Sequence, residues 1–407
     1  MTATSATDKL YWADPFTTTF EASARPGELA GQPTVVLDRT VFYPESGGQL
    51  ADRGTLTLAG AGGRELHVED VQIDDAGIIH HRVAEPLDGV GGVVRGAIDA
   101  ARRRDHMAQH TAQHALSAAL VDVARAETVS SRLGASACTI DVEGALDERG
   151  LARAEDLVNA VVMDDVPVRS LFPTPDELAR MPLRRAPKVD RDVRVIDIEG
   201  FDVSPCGGTH CTRSGQIGVV RVVGLEKYKG GWRVTFHAGR RALEDARRKE
   251  GVLAELAREL TCGMLDVGSA VGKLRGEVKA RMDALSTTRG ELVELLAEKV
   301  LAAHPPDAGG TTRIVLVRPR DDVPMLRTLA GRLSARPDVV AFCASDDGGQ
   351  GDLSIVVQRG AGASFDCGAW LKGVAGKLGG RGGGRPERAE GRLPKGAVLD
   401  DLARSDT

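Results

Sequence analysis

The chain has 407 residues, of which 42% are hydrophobic and 27% are charged, as in an ordinary folded globular protein. This length exceeds what one compact core normally holds, so it predicts two to four domains. The formal net charge of −5 excludes a global attraction to nucleic acid, and any RNA contact must use local basic patches.

Targeting signals are not visible in the sequence. The N-terminus lacks a basic segment followed by an apolar one, and no apolar run reaches the roughly 18 residues of a membrane-spanning helix. The six cysteines are widely scattered, which favours reduced thiols over a disulfide framework. We therefore expect a cytoplasmic protein without membrane contact.

The pattern along the chain predicts an α+β multidomain protein. Residues 1–95 alternate short β-type runs with Gly and Pro turns, which is typical of a small N-terminal β-barrel. Within this segment, Phe42 to Gln49 form a turn-rich loop. Residues 96–240 begin with a helical stretch from Asp99 to Ala124 and continue as mixed α and β segments.

The second half of the chain is different in character. Residues 241–303 are rich in Leu, Glu, Arg and Ala with near-heptad apolar spacing, which predicts a coiled-coil hairpin of two antiparallel helices or, alternatively, two ordinary core helices. Residues 304–407 predict a small α/β domain. Its end is basic, with seven Lys or Arg and two Asp or Glu between 368 and 396.

Two short segments combine metal-ligand residues. The first, His110-Thr-Ala-Gln-His114, lies on the predicted helix, where residues four apart share a face. The second, Cys206-Gly-Gly-Thr-His210, predicts a loop flexible enough to bring both ends to one ion. Three imidazoles and one thiolate suit Zn²⁺. His106 lies on the same helical stripe, so periodicity alone leaves 106/110 and 110/114 open as the ligand pair.

Several segments together resemble the editing domain of alanyl-tRNA synthetases and their free-standing relatives, the AlaX proteins. Besides the two ligand segments, these are Leu37–Gln49, which resembles a glycine motif, and Lys229–Gly239, which resembles the strand after the zinc cysteine motif. A Gly-rich stretch from Gly382 to Gly391 resembles the small C-terminal domain that these synthetases share with DHH phosphoesterases. The helical insert and this domain indicate the large AlaX subtype.

The resemblance implies a function and assigns residues to it. The expected activity is zinc-dependent trans-editing, in which seryl-tRNA(Ala) or glycyl-tRNA(Ala) is hydrolysed, because the chain begins at the barrel without room for an aminoacylation domain. Four residues are expected to hold zinc and act in catalysis, namely His110, His114, Cys206 and His210. Thr40 is expected to sense the serine hydroxyl, with Gly47, Gly48 and Gln49 lining the pocket. An RNA contact is expected at Gly382, Gly383, Gly384 and Arg385.

Two positions depart from the family pattern. Ser46 stands where the glycine motif usually has a third glycine, which could narrow the pocket. A Gln that synthetase editing domains tend to carry after the histidine helix is missing, and Ser130 is the nearest equivalent.

Other functions are compatible with the same residues. A zinc-stabilised tRNA-binding module without catalysis uses the same ligands, and a threonyl-tRNA editing deacylase has a similar set. A zinc peptidase is disfavoured because Thr111 stands where the general-base glutamate of an HExxH motif would be. The sequence leaves the oligomeric state open, with a dimer allowed.

Overall fold

The computed structural model describes residues 6–399 except 60–62, 188, 190–191, 307–309, 347–350 and 396. The chain divides into two compact units, Met1–Glu255 and Leu256–Thr407. We call them unit 1 and unit 2 and describe each by itself. The four-part division of the sequence at residues 95, 240 and 303 stays a prediction.

A closed six-stranded barrel forms the first part of unit 1, as the sequence predicts, with the strand order β2-β3-β7-β6-β5-β8. Its interior is apolar, and Leu56, Leu66 and Ile79 are fully buried in it. A short parallel pair, β1 with β4, lies beside it together with the one-turn helix α1. The elements are β1 (Asp8–Lys9), α1 (Leu10–Ala13), β2 (Thr19–Leu29), β3 (Gln32–Leu37), β4 (Arg39–Thr40), β5 (Gly54–Leu58), β6 (Glu65–Ile73), β7 (Ile79–Val83) and β8 (Gly92–Ile98).

The second part of unit 1 is built around a long buried helix, α2 (Ala100–Ala124). Asp99 caps it, because the Asp99 carboxylate accepts hydrogen bonds from the backbone amides of Ala101 and Arg102. This part also contains two antiparallel sheets, whose strand orders are β14-β15-β10-β9 and β11-β12-β13. Their elements, with the remaining helices, are β9 (Glu127–Leu133), β10 (Cys138–Glu143), α3 (Glu148–Asp164), β11 (Val168–Leu171), α4 (Pro175–Leu178), β12 (Val195–Ile198), β13 (Asp202–Pro205), β14 (Val220–Tyr228), β15 (Gly231–Ala238) and α5 (Gly239–Glu259).

The loop that follows β4 joins these two parts. Arg103 of α2 is buried and forms an ion pair with the buried Asp52, whose carboxylate also accepts a hydrogen bond from the Tyr43 amide at 2.7 Å. On the other side, the Leu133 amide of β9 donates to the Gly48 carbonyl at 2.8 Å. The loop is therefore fixed between α2 and β9.

Unit 2 contains a five-stranded sheet of order β16-β17-β18-β20-β19. The β16–β17 pair is parallel and the other pairs are antiparallel. Helix α8 packs on one face of the sheet, while α7 and the end of α6 pack on the other. The elements are α6 (Val267–Ala303), β16 (Thr312–Val317), α7 (Val323–Leu333), β17 (Val339–Ser345), β18 (Leu353–Arg359), α8 (Cys367–Leu378), β19 (Arg381–Arg385) and β20 (Arg388–Leu393).

The helical insert predicted between residues 241 and 303 is present as α5 and α6, with a short 3₁₀ turn at Met264–Asp266 between them. The predicted pairing of the two helices stays a prediction. In α6 the apolar side chains of the heptad-like stripe are exposed, namely Val271, Leu274, Val278, Met282 and Leu285. The described part of unit 2 therefore supplies no cover for that stripe.

Across the described ranges, none of the helices has the length and apolar character needed to cross a membrane.

Candidate metal centre

Four side chains from two elements converge in unit 1. Helix α2 supplies His110 and His114, one turn apart on the same face, and the loop after β13 supplies Cys206 and His210. One ligand atom from each of these residues lies within 4.8 Å of the others. The structure thus brings together the four predicted ligands and selects 110/114 over 106/110 as the helical pair.

The donor atoms are close enough to bind a single ion. The Cys206 Sγ atom lies 3.3 Å from His110 Nε2 and 3.3 Å from His210 Nε2. The third imidazole nitrogen, His114 Nε2, is buried and has no hydrogen-bond partner. A buried polar atom without a partner is costly unless a ligand satisfies it, and this one faces the other three donors. Three imidazoles and a thiolate are a donor set that zinc accepts.

Each imidazole is held through its other ring nitrogen. His110 Nδ1 donates to the Gln49 side-chain carbonyl at 2.7 Å, and His114 Nδ1 donates to an Asp202 carboxylate oxygen at 3.3 Å. His210 Nδ1 donates to Thr111 Oγ1, also at 3.3 Å. These contacts leave all three Nε2 lone pairs free to bind a metal, which is the usual role of hydrogen bonds behind metal ligands.

The electrostatics of the cluster favour a thiolate. Burial alone would disfavour ionisation of Cys206, but the adjacent His110, His210 and His114 rings outweigh burial and hold the pKa of the thiol well below its usual range. For His210, burial and then the neighbouring His110 lower the pKa well below the usual value. For His114, burial lowers the pKa, but nearby Cys206 and Asp202 outweigh burial and raise it. Since a metal ion requires a thiolate with neutral imidazoles, metal binding here should release a proton from His114.

The Cys206–Gly208 loop is fixed closely against the ligands. Arg194 is buried and donates to the Cys206 carbonyl at 3.0 Å and to the Gly208 carbonyl at 2.7 Å. A Cβ atom on Gly208 would lie 2.1 Å from His110 Cε1 and 3.0 Å from Gln49 Oε1, whereas one on Gly207 would meet open space. Only glycine at position 208 allows the loop to approach the His110 ring this closely.

A cleft of about 790 Å³ opens above the metal ligands. His110 and Cys206 lie among its lining residues, together with the glycine loop, one side of β9 and the aromatic ring of Trp12. Clefts of this size hold small ligands or the end of a larger one. Two of the four clustered side chains are therefore accessible from this cleft.

The residues predicted to form the substrate pocket lie in two different places. Gly47 and Gly48 line the cleft beside Ser46, with positive φ angles of 59° and 85° that favour glycine. Thr40 is instead fully buried, where its hydroxyl contacts His81 Nε2 at 3.0 Å and accepts from the Phe42 amide at 3.0 Å. Thr40 is therefore not among the residues that line the cleft, and its expected role in sensing a hydroxyl stays a prediction.

Gln49 has a different position from the one predicted. It is fully buried and contacts His110 rather than lining the cleft, and its amide group donates to Thr209 Oγ1 at 2.8 Å. The glycine motif ends in this residue, so the loop that borders the cleft is connected directly to a metal ligand.

Several residues of the site could not be predicted from the sequence. Gln113 lines the cleft, and its position three residues after His110 on the same helix was the available signal. Asp202, Arg194 and Trp12 had no comparable signal, because they reach the site through tertiary folding. Ser130 does lie at the cleft, where its hydroxyl donates to Asp141 at 2.7 Å.

Two neighbouring residues do not join the cluster. His106 is buried on the same helix but is not among the converging ligands, and burial lowers its pKa to about 4. Cys211 packs in the hydrophobic core, where burial raises the pKa of its thiol to about 11. Both residues therefore lie outside the four-residue cluster.

The predicted RNA-binding residues lie in unit 2 on an edge strand. Gly382, Gly383, Gly384 and Arg385 belong to β19, which pairs only with β20 among the described strands. Two cross-strand pairs there are like-charged, Arg381 opposite Arg392 and Arg385 opposite Arg388. Since directly opposed like charges are unfavourable, this exposed surface is suited to a polyanion.

Three family models match the chain. The tRNA synthetases class II (A) model matches residues 15–102, and the model of the threonyl and alanyl tRNA synthetase second additional domain matches residues 193–235, which include Cys206 and His210. The DHHA1 domain model matches residues 311–405.

Similar proteins cover almost the whole chain. The alanine–tRNA ligase of Halorubrum lacusprofundi is 33% identical over 405 residues, which are 97% of this chain and 43% of that protein. The alanine–tRNA ligase of Thermobifida fusca is 33% identical over 402 residues, or 94% of this chain and 44% of that protein. The chain therefore spans less than half the length of the curated relatives that it matches.

A solved structure also matches part of the chain. The C-Ala domain from Aquifex aeolicus alanyl-tRNA synthetase is 24% identical, covers 24% of this chain and 90% of that one, and has a TM-score of 0.22. A score of this size does not establish a common fold.

The barrel, the four-residue cluster and the matched segments define a chain related to aminoacyl-tRNA synthetases. More specifically, it belongs to the alanyl-tRNA synthetase-related family, as its resemblance to the AlaX proteins predicts.

Proposed function

We propose that this chain hydrolyses the ester bond of mischarged tRNA(Ala), with seryl-tRNA(Ala) as the main substrate and glycyl-tRNA(Ala) as a second one. The observation that carries the proposal is the convergence of His110, His114, Cys206 and His210 next to an open cleft. Family membership supports it, because the matched relatives are alanine–tRNA ligases.

Zinc is the metal that we propose for the centre, held by the three Nε2 atoms and Cys206 Sγ. A zinc ion at such a site supplies a Lewis acid that polarises an ester carbonyl or acidifies water. Around it, Gln49, Asp202 and Thr111 fix the orientation of the three imidazoles. In the reaction, water adds to the carbonyl carbon and the bond to the ribose oxygen breaks, which releases the amino acid and the intact tRNA.

Selectivity for serine over alanine needs a polar pocket. An apolar pocket rejects a small added hydroxyl by only about 100-fold, whereas a site that hydrogen-bonds the hydroxyl discriminates strongly against a substrate that lacks it. Since Thr40 is fully buried, we assign this role to polar groups that face the cleft, namely the Gly47–Gly48 backbone and Gln113. Ser46 borders the same wall and narrows it relative to a glycine.

The tRNA body is proposed to contact unit 2. The arginines of β19 and β20, Arg381, Arg385, Arg388 and Arg392, lie on one face of the sheet because directly opposed residues and residues four apart point the same way. Glu390 lies between them and is paired with Arg327 and Arg388. The net positive charge of this face fits phosphates, and RNA affinity at this surface should fall as salt rises.

Paired cysteine variants test the catalytic proposal. Cys206→Ser should abolish release of labelled serine from seryl-tRNA(Ala), while Cys211→Ser should retain it, because only the first thiol belongs to the metal centre. Folding of both variants is checked by circular dichroism. Full activity of Cys206→Ser would contradict the proposal.

A metal-stabilised tRNA-binding module without catalysis is the second candidate. The observation that favours it is the number of protein donors, since four ligands ordinarily complete a structural zinc site. Wild-type protein that binds tRNA but deacylates neither seryl-, glycyl-, alanyl- nor threonyl-tRNA would establish this alternative. Preferential release of threonine would instead indicate threonyl-tRNA editing.

A further inference from the structure

Two neighbouring aromatic side chains, Trp12 and Phe172, form an aromatic wall at the cleft beside the proposed metal ligands. Trp12 of α1 lines the cleft, and its indole N–H donates to the Gly207 carbonyl at 2.9 Å. The ring is thereby attached to the loop that carries Cys206. A flat ligand that stacked on Trp12 would lie next to the metal centre.

The wall extends to the protein surface. The Phe172 ring lies 5.8 Å from that of Trp12, tilted by 55°, and its side chain is 55% exposed. Only 3% of the chain is aromatic, and among the described residues Phe172 is the single aromatic side chain that is largely exposed. An exposed ring beside a partly exposed tryptophan therefore has no role in the core, and placement at a cleft suggests recognition.

Cations accompany the aromatic wall. The Lys9 ammonium lies 4.3 Å from the centre of the Trp12 ring, and both Lys9 and Arg185 line the cleft. Burial lowers the pKa of Lys9, whereas nearby Asp192 raises it. The Lys9 side chain is flexible, so its ammonium can leave the ring face and pair with a phosphate.

From this arrangement we infer that Trp12, extended by Phe172, stacks the terminal base of the RNA substrate, while Lys9 and Arg185 neutralise the adjoining phosphate. Aromatic side chains beside a positively charged groove are the usual means of holding single-stranded RNA ends. The inference rests on the proposed function, because an aminoacylated RNA places its terminal nucleoside next to the ester.

Trp12 also has a simpler explanation, which is that its indole N–H supports the Gly207 loop. Two substitutions separate these roles. Trp12→Phe and Trp12→Leu both remove the hydrogen bond to Gly207, but only Trp12→Phe keeps an aromatic face. Any difference between the two variants therefore reports stacking rather than loop support.

The test is binding of a fluorescently labelled CCA trinucleotide to the full zinc-loaded chain, compared with the same trinucleotide lacking its terminal base. Loss of one stacked base should weaken wild-type binding about tenfold. Trp12→Leu should bind CCA about tenfold more weakly and respond little to removal of the base, while Trp12→Phe should stay within about threefold of wild type.

Three results would overturn the inference. These are equal weakening by Trp12→Phe and Trp12→Leu, wild-type binding by Trp12→Leu, and a wild-type chain that does not distinguish CCA from the base-free trinucleotide. Because no turnover is measured, this test can fail while deacylation is intact, and it can succeed in a chain that hydrolyses nothing.

Discussion

The side-chain carbonyl of Gln49 accepts a hydrogen bond from His110 Nδ1 at 2.7 Å, which connects the glycine loop of the barrel to the metal centre. The same oxygen accepts from the Thr209 amide at 3.2 Å, so Gln49 contacts both ligand segments. The barrel therefore contributes to the geometry of the metal centre, although it supplies no ligand among the four.

Removal of this contact should weaken metal binding. Gln49→Leu leaves His110 Nδ1 without its acceptor, and loss of such outer contacts typically costs about 10- to 100-fold in metal affinity. Competition with a zinc chelator measures the effect. Gln72→Leu, which changes a barrel glutamine bonded only to Asp70 among the described side chains, should leave zinc affinity unchanged. Equal affinity in both variants would contradict the role of Gln49.

Two adjacent glycines provide a matched pair of substitutions. Gly208→Ala places a methyl group against the His110 ring, so it should displace that ligand and reduce bound zinc well below one per chain. Gly207→Ala places the methyl group in open space and should bind zinc like wild type. Metal analysis of the two purified proteins measures the difference, and full zinc occupancy in Gly208→Ala would contradict the close approach of loop and ring.

The buried ion pair between Arg103 and Asp52 should be important for stability. Asp52→Ala leaves a buried guanidinium without its partner, and the expected cost is about 3–5 kcal/mol. The exposed pair Arg240–Glu244 is the control, because Glu244→Ala removes only a solvent-screened contact and should leave the stability nearly unchanged. Urea unfolding of each variant gives these values. Similar costs for both substitutions would show that burial of the Arg103 pair is unimportant.

Acid should destabilise the barrel through His81. Burial lowers the pKa of His81 to about 4, while an unfolded histidine titrates near 6.5. Between these values the unfolded chain takes up a proton that the folded chain does not, so stability falls as pH falls from about 6.5 and the loss levels off below about 4. Protonation at His81 alone should lower the free energy of unfolding by about 3 kcal/mol between pH 7 and pH 4.

His81→Gln removes the titration at that position. Its free energy of unfolding should fall less than that of wild type when urea unfolding is compared at pH 7, 6, 5 and 4. If the free energy of unfolding falls equally with pH in both proteins, His81 does not cause the acid sensitivity.

The four clustered side chains could be predicted from the sequence, whereas the residues that hold them in place could not. His110 and His114 could be assigned because helical spacing places them on one face, and Gly207–Gly208 marked the loop that brings Cys206 to them. The roles of Gln49, Asp202 and Arg194 could not be assigned, since they depend on contacts between segments distant in the chain. The burial of Thr40 could not be predicted from its motif, because it depends on the contact of β4 with His81 of β7.

Removal and return of zinc tests the central claim most directly. Protein stripped with a chelator, and the same protein reloaded with one equivalent of Zn²⁺, are assayed for hydrolysis of seryl-tRNA(Ala) and alanyl-tRNA(Ala). We predict that removal of zinc abolishes the release of serine and that one equivalent of Zn²⁺ restores it. Hydrolysis of alanyl-tRNA(Ala) should be much slower than that of seryl-tRNA(Ala). Full activity of the stripped protein, or an inert reloaded protein with zinc bound, would contradict the account.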